Sequence, residues 1–446
     1  MKTKIKDTII IGLALFAMFF GAGNLIFPPS LGLLNGDKWF FAMVGFMTTA
    51  IGMPVMGIIA TAKAGGHLHD LSDRISVKFS KILSTLIMIS IGPLLAIPRT
   101  AATTYEIAIS PIFKSISPMM GSIIFFSIVL FFVLSPNKII DRIGKILTPI
   151  LFVVLLTMLL KGFIHPMGNP KDIGALRSFG NGFEEGYQTM DAFASVVFTM
   201  IIINAIKSKG YESKKNIVNM TIGAGIISAI GLMIIYGGLV YLGAMSGELL
   251  GEDTGRVELL MYISRNLWGY FGMILLSIAV ALACLTTAIG LTATCGEYFS
   301  SLTKNKISYR NIVIAISLFS AIMTTVGVDG IVSVAEPLLT TIYPMLIVLI
   351  IMSLFDKYLK RPAYIGAVIG AFVIGLIQGV SLIVPKTAAI LSTHIGGEAS
   401  RKFTAIFSKS KDIMNLLPFS KQGFAWLLPS IILAIVFTIL FKERKN

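Results

Sequence analysis

Long apolar segments alternate with short polar ones along almost the whole chain. A membrane-spanning α-helix needs about 20 predominantly apolar residues, so each of these segments predicts one span. Several are longer and must tilt or bend. The short alternating segments of a transmembrane β-barrel are not seen in this pattern. The sequence therefore predicts an all-α polytopic membrane protein with twelve transmembrane helices, at residues 8–34, 39–62, 80–108, 118–135, 144–163, 187–206, 215–244, 268–299, 309–327, 330–355, 362–384 and 423–441.

Composition supports this class. Of the 446 residues, 55% are hydrophobic and only 13% are charged, whereas soluble domains carry about 25% charged residues. This balance excludes an ordinary cytosolic enzyme, a disordered chain and a secreted disulfide scaffold. The two cysteines, Cys284 and Cys295, lie on one predicted helix about 16 Å apart, which is too far for a disulfide.

The net charge of +15 is distributed by side of the membrane. In a soluble protein it would suggest nucleic acid as a partner, but here the positive-inside rule explains it better. With the N-terminus inside, the inner segments carry 23 Lys and Arg and the outer ones 13. Both termini are therefore predicted to be cytoplasmic, and no nucleic acid is expected as a partner. Six of the outer basic residues lie in the long external loop 385–422, which is either a cap or a simple connection.

The first span contains a cluster of helix-breaking residues. Gly21, Gly23, Pro28 and Pro29 lie in its middle, with Asn24 among them. A glycine costs about 1 kcal/mol and a proline about 3 kcal/mol inside a helix, so an unwound segment is predicted there. In lipid such a segment must face protein or a water-lined cavity, where its free N–H and C=O groups can bind a ligand. Close helix packing is the alternative.

A second interruption is predicted less clearly in the sixth span. Asp191 lies near the outer end of that span, followed by the small pair Ala194 and Ser195. The alternative is that the helix is continuous and that Asp191 is simply an acidic residue in its first turn.

In the eighth span, Thr286 and Thr287 follow Ala283 by about one turn. Hydroxyl and carbonyl oxygens in one sector suit a hard monovalent cation. The alternative is that both threonines hydrogen-bond back to their own helix.

The third and tenth spans carry charges that need an explanation. Arg99 lies within the third span, and a buried charge of this kind costs at least about 2.5 kcal/mol and needs a partner. Glu106, two turns later, and Glu336 in the tenth span are the candidate partners. Such a pair is either a gate or coupling device or a structural ion pair, and a snorkelling side chain is a further alternative. Glu336 is also a candidate proton carrier.

Taken together, these segments resemble the branched-chain amino acid:cation symporters of bacteria. The resemblance covers essentially the whole chain and rests on FGAGNLIFPP (20–29), AKAGG (62–66), GPLLAIPRT (92–100), the residues from Pro136 to Gly144, and those from Gly186 to Ala192. It implies a LeuT-type fold, with an inverted repeat of five plus five helices and discontinuous helices 1 and 6. The transport core would be 1–355, with repeats 1–163 and 187–355, and two additional helices would lie in 362–446.

The resemblance also implies binding residues. The sodium ligands would be the carbonyls of Ala17, Phe20 and Ala283 and the hydroxyls of Thr286 and Thr287. The substrate carboxylate would meet N–H groups near Gly21 to Gly23, at the start of a half-helix, and the ammonium would meet carbonyls of Phe20 and of residues 190–194. Phe193 and Phe198 either line the side-chain pocket or face lipid. A second sodium site is not expected, since Asn24 has no evident partners. The full predicted substrate set is Phe20, Gly21, Ala22, Gly23, Asn24, Met190, Asp191, Ala192, Phe193 and Ala194.

The function implied is sodium-coupled import of leucine, isoleucine and valine by alternating access, across the bacterial cytoplasmic membrane. A proton-coupled carrier of the same fold, a channel and a membrane sensor are the alternatives. No nucleophile and base set is seen in the spans, so an enzyme is not expected. Sodium is the expected coupling ion; no organic cofactor and no obligate protein partner are expected.

Overall fold

The computed structural model describes residues 2–135, 139–174, 177–251, 253–394 and 416–441, and all regular structure in these ranges is helical. The predicted all-α class is confirmed. Within the described residues, seven helical segments are long and apolar enough to cross a membrane, and four shorter apolar helices accompany them. The chain is therefore an integral membrane protein, and the count of twelve spans stays a prediction.

The helices before residue 165 correspond to the first five predicted spans. Single turns of π-helix join α3 to α4 (Thr48–Gly52) and α6 to α7 (Ser90–Leu94), and a third follows α7 (Tyr105–Ile109). The α-helices in this part of the described chain are α1 (Lys2–Phe19), α2 (Ala22–Asn35), α3 (Trp39–Met47), α4 (Met53–Ala64), α5 (Leu68–Ser72), α6 (Val77–Ile89), α7 (Ala96–Thr104), α8 (Pro118–Leu134) and α9 (Ile139–Ile164).

The helices after residue 177 differ from the predicted spans in two places. The helix predicted from 268 already begins at Arg256 and bends at Gly269, whose φ of +68° favours glycine. The helix predicted to end at 384 continues to His394, so the predicted loop 385–422 starts as helix, and its residues 395–415 lie outside the described ranges. These helices are α10 (Ser178–Glu185), α11 (Asp191–Ser208), α12 (Lys214–Ala244), α13 (Arg256–Leu302), α14 (Tyr309–Thr324), α15 (Gly327–Leu354), α16 (Arg361–His394) and α17 (Leu427–Leu440).

Serine side chains fix where several of these helices begin. An unpaired N–H group in the first turn of a helix is satisfied best by a short hydroxyl or carboxylate side chain just before it. Each of four N-cap serines accepts a hydrogen bond from the N–H three residues later. The pairs are Ser76 with Phe79, Ser117 with Met120, Ser213 with Asn216, and Ser308 with Asn311.

The helix α2 lies at the centre of the fold, and every residue in it except Leu34 is buried. It packs against α12 through two glycines that let the backbones touch. A Cβ on Gly32 would come within 1.9 Å of the Val240 carbonyl oxygen, and one on Gly243 within 1.9 Å of the Pro29 carbonyl oxygen. Because α12 also packs on α1, and α13 packs on α2 and α7, the junction between α1 and α2 is enclosed by helices.

Candidate functional site

The first predicted span is interrupted at Phe20 and Gly21, between α1 and α2. Gly21 is extended (φ −119°, ψ −171°) and its N–H donates to Asn24 Oδ1 at 3.2 Å, instead of continuing α1 toward the Ala17 carbonyl. The first N–H groups of α2 have no partner within the helix. Among the described residues, those of Ala22 and Gly23 have none outside it either. Free donors and free carbonyls therefore meet at this point.

The unwound segment is shorter than the sequence suggests. Pro28 and Pro29 lie inside α2 rather than in the break. Each proline removes one hydrogen bond to the carbonyl four residues earlier, so the carbonyls of Asn24 and Leu25 lose their helical partners. The interruption itself depends on Gly21 and on the side chain of Asn24.

A second interruption faces the first. Residues Gly186–Thr189 form a 3₁₀ turn, Met190 has a left-handed conformation (φ +60°), and α11 begins at Asp191. A left-handed conformation is uncommon for a residue other than glycine and is found where surrounding structure enforces it. Asp191 thus lies in the first turn of a buried helix, where a negative charge is favoured by the helix dipole.

The two interruptions are joined by buried hydrogen bonds. Asn24 Nδ2 donates to Asp191 Oδ2 at 2.7 Å and also contacts the Tyr236 hydroxyl, which donates to the same carboxylate oxygen at 3.1 Å. All three side chains are buried. The partners of Asn24 that the sequence did not reveal are therefore Asp191 and Tyr236. Nothing local in the sequence distinguishes Tyr236 from Tyr241 in the same predicted span.

A cavity lies between the two interruptions, α7 and α13. The sequence-predicted residues that line it are Gly21, Ala22, Gly23, Asn24, Arg99, Met190, Asp191, Ala194, Phe198 and Thr287. The lining residues that sequence reasoning missed are Met18, Phe19, Ile91, Ala96, Thr100, Thr189 and Leu291. Eight predicted residues are not part of the lining: Ala17, Phe20, Glu106, Ala192, Phe193, Ala283, Thr286 and Glu336.

The two phenylalanines of α11 have different surroundings. Phe198 lines the cavity, and its ring lies 6.1 Å from the ring of Phe19. Phe193 is fully buried against Tyr343, with ring centroids 4.5 Å apart. Phe198 therefore contributes to an apolar wall of the cavity, whereas Phe193 packs behind α11 and faces neither lipid nor ligand.

Thr286 and Thr287 both hydrogen-bond back to the Ala283 carbonyl at 2.9 Å. Thr287 lies at the first interruption, because a Cβ on Gly21 would be 3.6 Å from its Cγ2 and 3.8 Å from its Oγ1. The described residues contain no group of three His, Cys, Asp or Glu able to hold a metal ion. Any cation here would be bound by hydroxyl and carbonyl oxygens.

Arg99 does not form the expected ion pair. Its guanidinium is 4% exposed, donates from Nη1 to the Gln188 carbonyl at 2.7 Å, and lies over the Phe27 ring at 5.1 Å. Glu106 instead accepts the Val328 N–H at 2.8 Å, and among the described side chains neither Glu106 nor Glu336 forms an ion pair with Arg99. The sequence suggested a carboxylate partner, Glu106 or Glu336, whereas the partners are a carbonyl and a ring.

A second arginine lies on the same ring. Arg256 is 5.7 Å from the Phe27 centroid, bonds Asp329 at 2.7 Å and approaches Glu185 at 3.7 Å. Burial raises the pKa of the Glu185 carboxyl, and the positive charge of Arg256 opposes that rise. This cluster, which the sequence did not indicate, joins α10, α13 and α15 beside the cavity without lining it.

Comparisons with known proteins bear on this architecture. A family model described as branched-chain amino acid transport protein matches residues 4–444. The branched-chain amino acid permease BraB of Bacillus subtilis (strain 168) is 39% identical over 444 residues, which cover 97% of this chain and 95% of that protein.

Two solved structures share the fold. MhsT in complex with L-phenylalanine matches with a TM-score of 0.53 and 16% identity, over 98% of this chain and 97% of that one. The inward-facing conformation of Mhp1 matches with a TM-score of 0.61 and 13% identity, over 98% and 91% of the two chains. The helices thus adopt the transporter fold of these neighbours.

Proposed function

The chain belongs to the family of branched-chain amino acid transport proteins, and from that premise we propose that it imports leucine, isoleucine and valine together with sodium. Its relatives are transport proteins, so it is a membrane transporter and not an enzyme. The proposed mechanism is alternating access, in which the site opens to one side of the membrane at a time. The proposed location is the bacterial cytoplasmic membrane.

The observation that carries the proposal is the pair of helix interruptions that line one cavity. Unwound backbone inside a membrane protein is tolerated where it is buried in protein or lines a cavity, and it supplies polar groups without charged side chains. Here Ala22 and Gly23, whose N–H groups are free, and Asp191, which carries a carboxylate, line the same cavity. We assign the amino acid carboxylate to the first group and the ammonium to the second.

The remaining lining favours an aliphatic side chain. Met18, Phe19, Ile91, Phe198 and Leu291 all line the cavity. A methyl-bearing side chain gains about 0.8 kcal/mol for each CH₂ group that it buries among such residues. A charged side chain would lose its hydration there without a partner. This chemistry, together with the family, supports branched-chain amino acids as the substrates.

Sodium is proposed to bind between α1 and α13. The Gly21 N–H donates to Asn24, so the Ala17 carbonyl has no helical partner, and the Phe20 carbonyl precedes the first residue of α2. Thr287 lies beside Gly21, and Thr286 and Ala283 are its neighbours in α13. Both threonine hydroxyls donate to the Ala283 carbonyl, and each hydroxyl oxygen keeps its lone pairs for a cation.

The proposed topology follows the inverted repeat. Residues 1–163 and 187–355 would form the two repeats, with helices 1 and 6 discontinuous, and 362–446 would add two helices. Both termini would lie in the cytoplasm. A labelling experiment tests this: single cysteines at Lys6 and at Lys357 should react with a membrane-impermeant thiol reagent only from the inner side.

Replacement of sodium in uptake measurements tests the coupling ion. In proteoliposomes, leucine uptake should fall to background when external sodium is replaced by potassium or choline at constant pH. The rival is proton coupling, for which the half-buried Glu336 is the candidate carrier. Uptake that is unchanged without sodium, and that follows an imposed pH gradient, would contradict sodium coupling.

Thr287→Ala tests the position of the sodium site. The variant loses one hydroxyl ligand at the interruption, so the sodium concentration for half-maximal uptake should rise by about tenfold, the equivalent of about 1.4 kcal/mol. Thr294→Ala is the matched control, because Thr294 makes the same back-bond to Gly290 at 2.8 Å but lies on the exposed face of α13. An unchanged sodium dependence in Thr287→Ala would place the ion elsewhere.

A further inference from the structure

We propose that Arg99 binds the α-carboxylate of the transported amino acid directly, so that it is a specificity-determining residue and not a gate. This inference rests on the proposed function and assigns one of its subsites. Arg99 lies in α7 and lines the cavity together with Gly23 and Asp191. A buried arginine that faces a ligand cavity without a bonded carboxylate is available to an anionic ligand.

The hydrogen bonds of Arg99 leave much of its guanidinium unused. A guanidinium has five N–H donors in a planar fork that matches a carboxylate. Nη1 donates to the Gln188 carbonyl, and Nε has no acceptor among the described residues. The Phe27 ring covers one face of the group, which keeps the plane oriented and leaves its edges for in-plane hydrogen bonds. Leaving a buried donor without an acceptor is costly, and a carboxylate ligand would remove that cost.

The guanidinium also lies against the first turn of α2. Nη2 is 2.6 Å from the point where a Cβ on Gly23 would lie. Arg99 can approach this closely because residue 23 has no side chain. A carboxylate in the cavity beside both would accept hydrogen bonds from the guanidinium and from the unpaired N–H groups of Ala22 and Gly23. Guanidinium N–H groups form strong hydrogen bonds to carboxylates, and backbone N–H groups at a helix N-terminus bind anions.

The charges of the cavity match a zwitterion. Arg99 supplies one positive charge and Asp191 one negative charge, and both residues line the cavity. Away from water an uncompensated charge is strongly disfavoured, so a ligand with both an ammonium and a carboxylate would be preferred over one with either alone. The nearby acidic groups are hydrogen-bonded elsewhere, Asp191 with Asn24 and Tyr236, Glu106 with the Val328 N–H, and Asp329 with Arg256. None of these three carboxylates is hydrogen-bonded to Arg99.

The test compares two ligands that differ only in the group that Arg99 would bind. Leucinol retains the ammonium and the side chain of leucine but lacks the carboxylate. Displacement of radiolabelled leucine from the purified full-length protein measures both affinities. The wild type should bind leucine about a hundredfold more tightly than leucinol, because bound leucinol would leave a buried charge unpaired. In Arg99→Gln this ratio should fall by about tenfold through weaker leucine binding, with leucinol affinity unchanged, because only the N–H groups of Ala22 and Gly23 then remain for the carboxylate. Arg99→Lys should restore part of the ratio.

Arg256→Gln is the matched control, because Arg256 lies on the same Phe27 ring but does not line the cavity, and it should keep the wild-type ratio. A ratio near one in the wild type, or a wild-type ratio in Arg99→Gln, would overturn the proposal while leaving leucine transport intact. If Arg99→Gln does not fold, the wild-type ratio and Arg99→Lys still decide. Absence of leucine binding to the wild type would instead overturn the proposed function, and this inference with it.

Discussion

Substitution of Gly23 by valine is expected to abolish leucine binding and uptake. Even the Cβ of alanine would lie 2.6 Å from Arg99 Nη2 and 3.0 Å from the Phe27 ring, and overpacking of this kind costs about 1–3 kcal/mol. The added side chain would push the guanidinium away and cover the free N–H groups at the start of α2. Gly23→Ala should therefore weaken leucine binding by about tenfold or more, and Gly23→Val should remove it. Binding of radiolabelled leucine to the purified variants is the measurement.

Gly21→Ala is the control for this prediction. Its new methyl would meet the nearest atom, Thr287 Cγ2, at 3.6 Å, which is an ordinary contact. The extended backbone at Gly21 is open to any residue, so this variant should bind leucine nearly as well as the wild type. Equal binding by the Gly21 and Gly23 variants would show that crowding at Gly23 does not matter, and would disprove the proposed contact with the α2 N-terminus.

Asp191→Asn is expected to have the second large effect. Asparagine has the size of aspartate and can still accept from Asn24 and Tyr236, so the connection between the two interruptions should persist while the charge is lost. Removing one partner of a buried charge pair costs about 2–5 kcal/mol, and leucine uptake should fall by at least about thirtyfold. Initial rates in proteoliposomes measure this, with the thermal unfolding midpoint as a check on folding.

Tyr236→Phe separates the charge of Asp191 from its hydrogen bonds. This variant removes the 3.1 Å hydrogen bond to the carboxylate but leaves the charge and the bond from Asn24. A single hydrogen bond contributes about 1 kcal/mol, so the loss should be about fivefold. Uptake by Asp191→Asn at the level of Tyr236→Phe or higher would mean that the carboxylate charge has no role in binding the ammonium.

The sequence predicted the features that depend on local chemistry. Apolar runs indicated helices, and glycines beside Asn24 indicated an interruption near Gly21, because helix propensity and membrane burial act on neighbouring residues. The second interruption was harder to predict, since Met190 is left-handed without a glycine. Its conformation is enforced by tertiary packing, of which the sequence around it carries no clear indication.

The partners of buried polar groups depended on contacts between distant segments. Arg99 is bound by a carbonyl near α11 and by a ring of α2, neither of which helical periodicity could indicate. Asn24 similarly bonds to residues that lie 167 and 212 positions away. A search for opposite charges at helical spacing finds neither backbone acceptors nor aromatic rings, so the role of Arg99 could be argued only from the structure.

Uphill accumulation of leucine tests the central claim most directly. Sealed proteoliposomes are loaded without sodium and diluted into sodium with a trace of radiolabelled leucine, and the membrane potential is clamped by valinomycin with equal potassium on both sides. Internal leucine should rise above the external concentration while the sodium gradient lasts, and then return to it when the gradient is collapsed with a sodium ionophore. Leucine that equilibrates without exceeding the external concentration would contradict sodium-coupled transport by this protein.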